Sequence, residues 1–178
     1  EAEPQSFLGF SQAEAPILGD FLADLDPAMP LDWNGVSFQG LPALRAHIIA
    51  QAGLEGICSP DDVLVTAGAA EANYLALRQI LAPGDELIVE RPGWPQADVL
   101  AQSNGAVIRE WYRDEVAGWA LSLDGLKQLI SPQTRMIFLT NPNNPTGRLI
   151  DAKTLSSIVD ISAKTGAWLL VDEVYAGL

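Results

Sequence analysis

Short apolar runs alternate with amphipathic stretches from about residue 40 to the end of the chain. "DVLVTAG" (62–68), "ELIVE" (86–90), "GAVIREW" (105–111), "RMIFLT" (135–140) and "AWLLVDE" (167–173) are rich in Val, Ile and Leu and bounded by Gly, Pro or Asp. Their length and β-branched content predict strands. Between them lie stretches with helical signals. "LPALRAHIIAQAG" carries Pro42 at a first-turn position and closes at Gly53, and "EANYLALRQILAPG" ends on a Pro-Gly stop. "SLDGLKQLI" offers Asp124 as a cap. "DAKTLSSIVDISAKTG" offers Asp151 as N-cap and Gly166 past its end, with Leu155, Ile158, Val159 and Ser162 on one face.

Such alternation predicts an α/β domain with a mainly parallel sheet covered on both faces, over residues 40–178. Residues 1–39 are broken by Pro and Gly, and only "ILGDFLADL" looks helical, so they read as an arm that packs on the domain or on something else.

Composition narrows the function classes. At 178 residues the chain is about one domain long. Ten basic against 23 acidic residues give a formal net charge of −13. That repels phosphate backbones and argues against a nucleic-acid partner. No apolar run reaches the eighteen or so residues of a membrane-spanning helix, so no membrane role is expected. Cys58 is the single cysteine, which suits a reducing, cytoplasmic setting. The start, "EAEPQSFLGF", has neither an initiator Met nor a signal-peptide pattern and reads as an internal or processed start. His47 has no Cys or second His near it, so no metal site is expected.

In open α/β sheets ligands bind beyond the carboxyl ends of the strands, so the residues that follow each apolar run carry the chemistry. After "DVLV", the turn "TAGAAEA" opens a helix, where free N–H groups at Ala69 and Ala70 and the helix dipole would favour an anion such as phosphate. A plain strand-to-helix turn is the simpler reading of that stretch alone. After "ELIVE", Trp94 stands between Pro92 and Pro95, either as a plug at the domain edge or as a stacking platform for a planar ring.

After "RMIFL" comes "TNPNNPTG", whose prolines stiffen a loop of amides suited to a polar ligand. After "AWLLV", Asp172 ends a run apolar enough to be fully buried. A carboxylate there without a partner costs several kcal/mol, which argues for a bound cation or protonated heterocycle, with a helix cap as the competing account. Tyr175 follows three residues later. No Gly-Xaa-Ser-Xaa-Gly elbow, P-loop or Gly-Xaa-Gly-Xaa-Xaa-Gly is present.

Taken in order, "LPALR", "TAGAAEA", "LAPGDELIVERPGWP", "NPNNPTG" and "DEVYAG" resemble the fold type I pyridoxal-phosphate enzymes of the class I/II aminotransferase family. The resemblance runs from about residue 39 to the end of the chain. It implies a three-layer α/β/α sandwich, the pyridoxal-phosphate-binding large domain, with residues 1–39 as an arm or small-domain segment.

The resemblance also assigns roles. The N–H groups of Ala69 and Ala70 would hold the phosphate of pyridoxal 5'-phosphate, and Trp94 would stack on its ring. Asn144 and Tyr175 would bind the ring oxygen, and Asp172 would pair with the ring nitrogen. It implies amino acid and 2-oxo acid substrates and a homodimer. It also implies that the Schiff-base lysine lies past Leu178, since Lys127, Lys153 and Lys164 lack its context, so the chain reads as the front part of an enzyme. Other chemistries of the same fold type (C–S lyase, cyclase or oxidase of amino acids) and a non-covalent cofactor-binding module remain the alternatives.

Overall fold

Four of the five apolar runs pair side by side in one sheet, because each is too apolar to leave in water and too short to bury itself alone. In the computed structural model, which describes residues 15–29 and 38–176, these are β1 (Glu86–Arg91), β2 (Val107–Asp114), β4 (Thr134–Thr140) and β5 (Trp168–Asp172). A two-residue β3 (Ala120–Leu121) adds an antiparallel edge, which the sequence pattern did not signal. The order is β3-β2-β1-β4-β5, and β1, β2, β4 and β5 run parallel.

Among the described residues six α-helices accompany them: α1 (Leu18–Leu22), α2 (Pro42–Gln51), α3 (Ala69–Ile80), α4 (Gln96–Ser103), α5 (Leu123–Leu129) and α6 (Ala152–Thr165). Strand periodicity sends alternate side chains to opposite faces. Leu87 and Val89 of β1, with Met136 and Phe138 of β4, pack under Leu77 of α3 and Ala97 and Ala101 of α4. Ile88, Trp111, Ile137 and Leu139 pack on the other face with Leu126 of α5 and Ile158 of α6. The result is three layers, helices over both faces of a mainly parallel sheet, as expected.

Several local expectations need correction. "DVLVTAG" is not a strand: Pro60–Asp62 form a 3-10 turn, and residues 63–68 follow outside any ladder. Val63 has extended geometry (φ −115°, ψ 125°), and Val65 donates its N–H to the Gln39 carbonyl at 2.8 Å. The run has strand propensity, but among the described residues no strand lies beside it, and propensity without a ladder partner does not make a sheet. Gln96–Ser103, a stretch to which the sequence pattern assigned no element, form α4. The "ILGDFLADL" helix shrinks to five residues, and the rest of the arm lies partly outside the described residues.

The caps are mixed. Asp151 caps α6 as expected, accepting the Thr154 N–H at 2.9 Å, with Gly166 at φ 72° past the end. In α5 the cap is Ser122, whose Oγ accepts the Gly125 N–H at 3.1 Å, while Asp124 pairs with Lys127. On α6, Ile158 and Ser162 are buried but Val159 points outward. β5 is only partly buried, with Trp168 exposed, because it forms one edge of this sheet. A helical or alternating pattern reports how apolar a position is, not how many neighbours will cover it.

The amino end of the sheet is tied by Glu86. Its carboxylate accepts Arg109 Nε at 2.9 Å and Ser131 Oγ at 2.6 Å, linking β1, β2 and the turn before β4. Burial alone would push this carboxyl up, but the bonds from Ser131 and Arg109, with the Arg109 charge and Thr134, outweigh it and hold it below the ordinary value of 4.5. A lowered folded value means that its contribution is complete above that pH and is lost as pH falls below it. Acid titration of thermal stability should therefore show a Glu86-dependent loss below pH 4.5, and Glu86→Gln should remove that part of the slope. In the core, Ile137→Ala should cost about 2–5 kcal/mol by denaturant melting, because Ile137 is wholly buried between α5 and α6.

Candidate functional site

The chain leaves β1 for β2 on one side, then returns to β4 beside β1 and leaves it for β5 on the other. The connecting helices follow suit, α4 covering one face and α6 the opposite one. Between β1 and β4 the two connections part, which opens a crevice at the strands' carboxyl ends. The loops that border it are the ones singled out by sequence: 92–95 after β1 and 141–151 after β4. The turn after β5 and the amino end of α3 lie next to them.

The loop after β4 divides its asparagines between support and presentation. Asn141 is buried and accepts the Ile150 N–H at 2.9 Å, while its own N–H donates to the Asp172 carbonyl at 2.9 Å. Asn143, only 2 % exposed, donates Nδ2 to the Pro92 carbonyl at 3.2 Å and accepts both the N–H and Oγ1 of Thr146. Gly147, at φ 69°, closes the turn by donating its N–H to the Asn143 carbonyl at 2.8 Å; a side chain would strain that backbone. Asn144 is left half-buried, its Nδ2 3.1 Å from the Tyr175 hydroxyl. Asn144 and Tyr175 are thus brought together across 31 residues of chain.

Asp172 sits at the end of β5, half-buried instead of fully buried as its run suggested. Oδ1 accepts the Val174 N–H at 3.0 Å, capping a turn and not the helix that the sequence offered as the competing account. Oδ2 accepts Asn73 Nδ2 at 2.7 Å. Asn73, buried on α3, also reaches Gln96 Oε1 at 3.3 Å, and Gln96 Nε2 donates to the Ala70 carbonyl at 2.9 Å. A row of neutral amides therefore links the carboxylate to the first turn of α3 and to the start of α4. Neutral donors hold the carboxylate in place without cancelling its charge.

The amino end of α3 has Gly68 as N-cap and no side-chain cap. Glu71 of its first turn is occupied elsewhere, accepting the Ala67 N–H at 2.6 Å. The first-turn amides of Ala69 and Ala70 have no acceptor within the helix by geometry alone. Ala70 shares a shallow apolar depression with Trp94, Pro95, Gln96, Val99 and Leu100. Trp94, 55 % exposed, lies at the edge of this depression. Lys127, Lys153 and Lys164 lie on α5 and α6, on the far face of the sheet. Among the described residues no cluster of His, Cys, Asp or Glu could hold a metal, and no helix is long and apolar enough to cross a membrane.

The sequence reading missed Asn73, Gln96, Asn141, Asn143 and the buried pair Glu90–Arg113. Only the density of Asn in "NPNNPTG" hinted at any of these.

A family model described as aminotransferase class I and II matches residues 34–178. The chain is 35% identical over 143 residues to an aspartate aminotransferase of Streptomyces avermitilis, a match covering 78% of this chain and 35% of that protein. It is 29% identical over 164 residues to the glutamate-pyruvate aminotransferase AlaA of Haemophilus influenzae, covering 91% of this chain and 40% of the other. Among solved structures, an alanine aminotransferase from Pyrococcus furiosus superposes with a TM-score of 0.74 at 36% identity, over 79% of this chain and 36% of that one. The chain thus spans well under half the length of these relatives.

The two kinds of asparagine should separate experimentally. Asn143→Ala orphans buried partners and should cost about 1–3 kcal/mol in denaturant melts, whereas Asn144→Ala should cost under about 1 kcal/mol.

Proposed function

We propose, from the premise that this chain belongs to the aminotransferase class I and II family, that it forms the cofactor cradle of a pyridoxal-phosphate-dependent aminotransferase. Members of the family depend on pyridoxal 5'-phosphate. The observation that carries the proposal is the convergence, at one switch point, of an uncapped helix end, an exposed tryptophan, an Asn–Tyr pair and a partly buried carboxylate.

The residues suit the group chemically. Ala69 and Ala70 N–H groups at a helix amino end favour a phosphate. Trp94 offers a ring face. Asn144 and Tyr175 offer hydrogen bonds to one oxygen. Asp172, an acceptor held by neutral amides, suits a protonated ring nitrogen. When bound, the cofactor supplies an electron sink for a carbanion at the α-carbon of an amino acid. This chain's residues bind and orient it, and Asp172 holds the proton on the ring nitrogen.

The reading extends to an amino acid and a 2-oxo acid as substrates, a homodimer, and a place in amino acid metabolism in the cytoplasm, where an unpaired Cys58 stays reduced.

Titration of this chain with pyridoxal phosphate should quench tryptophan fluorescence saturably, and a protein of its relatives' full length, with the Schiff-base lysine that the resemblance implies past Leu178, should transfer an amino group from an amino acid to a 2-oxo acid. Absence of both would reject the proposal. Asp172→Asn should weaken cofactor binding by about ten- to a hundredfold, the loss of one charge-assisted hydrogen bond. Trp94→Ala should weaken it while leaving the melting temperature nearly unchanged, since Trp94 is largely exposed.

A further inference from the structure

Two buried charged side chains take no part in the cradle as described. Glu90, at the end of β1, and Arg113, on β2, are almost completely buried. Arg113 Nε donates to Glu90 Oε2 at 2.8 Å, Nη2 donates to the same oxygen, and Nη1 donates to the Trp119 carbonyl at 2.8 Å. That leaves Glu90 Oε1, which accepts the backbone N–H of Thr140 at 2.7 Å.

The position of this bond matters more than its strength. β1 stays paired with β2 as far as Arg91↔Tyr112, but its pairing with β4 stops at Val89↔Phe138. β4 meanwhile continues along β5 to Thr140↔Asp172. The two central strands therefore part at residue 90, where the crevice opens. Thr140 lies past the end of the β1–β4 ladder, and the carboxylate of Glu90 stands in for the missing backbone acceptor.

Both loops bordering the crevice spring from this point. The Asn141–Gly147 loop begins directly after Thr140, and the Trp94 loop begins two residues after Glu90, past Arg91 at the end of β1. Gly93 packs so closely there that a Cβ would sit 2.7 Å from the Glu90 carbonyl oxygen. Asn143, bound to the Pro92 carbonyl, ties the two loops a second time.

We infer that Glu90 is a positioning residue for the cradle: anchored by Arg113, it sets the spacing between the loops that carry Trp94 and Asn144 by holding Thr140. The inference deepens the proposed function and rests on it only for the identity of the ligand. A buried ion pair is poor evidence of added stability, since apolar groups of similar size often replace one at no cost. Its value here is geometric.

The test uses the full chain, with the double variant E90M/R113M and the single variant E90Q. Replacing both ions with apolar side chains leaves no unpaired buried charge but removes the partners of the Thr140 N–H and the Trp119 carbonyl, so the protein should still fold with its thermal midpoint lowered by about 2–12 °C. E90Q keeps the size of the side chain but cannot accept from Arg113 and Thr140 at once. Amide hydrogen exchange in peptides spanning 140–147 should quicken about tenfold in both variants, with peptides of α6 unchanged. Pyridoxal phosphate should bind about tenfold more weakly, because small errors in loop placement are costly.

If the folded double variant shows parental loop exchange and parental pyridoxal phosphate affinity, Glu90 is structural only and the inference is overturned. If the double variant fails to fold, E90Q decides by the same two readouts. If the parent protein binds no pyridoxal phosphate, the proposed function fails, while loop exchange alone still decides whether Glu90 positions the loops.

Discussion

The parting of β1 from β4 governs the architecture of the site. Parallel strands satisfy each other's backbone groups only while they stay side by side, and buried N–H and C=O groups left without partners are costly. Opening a crevice between two central strands therefore requires substitute acceptors and donors at the point of separation. Here Glu90 accepts from Thr140, Asn141 accepts from Ile150, and Asn143 donates to the Pro92 carbonyl. These side chains keep the loops on either side at a set distance without closing the gap between them.

The same demand explains the unequal fates of the three asparagines. Asn141 and Asn143 are buried because the loop would otherwise bury bare backbone groups. Asn144, before Pro145, faces Tyr175 with its Nδ2 3.1 Å from the hydroxyl. A loop with three asparagines thus keeps two for its own support and turns the third, half-buried, toward Tyr175. Asp172 shows a similar division within one carboxylate, with one oxygen committed to the turn at Val174 and the other to Asn73.

Much of the layout was legible from the chain. Runs such as "ELIVE" and "RMIFLT" are too apolar for any surface, and Asp151 and Gly166 mark the two ends of α6 by local chemistry alone. The residues that border the crevice were visible because they follow those runs. The role of Glu90 was not visible, since "ELIVE" places a glutamate at each end of a strand without showing that both would be buried. Asn73 is one more polar residue on a predicted helix, and Gln96 falls in a stretch to which the pattern assigned no element. Their partners lie 99 and 26 residues away along the chain, at Asp172 and Ala70.

By itself the sequence determined the class of fold, the order of the main elements and the loops that could carry chemistry, because periodicity, caps and proline restrictions act within a few residues. Tertiary structure alone decided which strands became neighbours, that "DVLVTAG" would lie outside the sheet, and that β5 would be only half covered. It also decided which polar groups would meet at the crevice. Strand pairing and burial depend on contacts between distant segments, and no local pattern contains the identity of the partner.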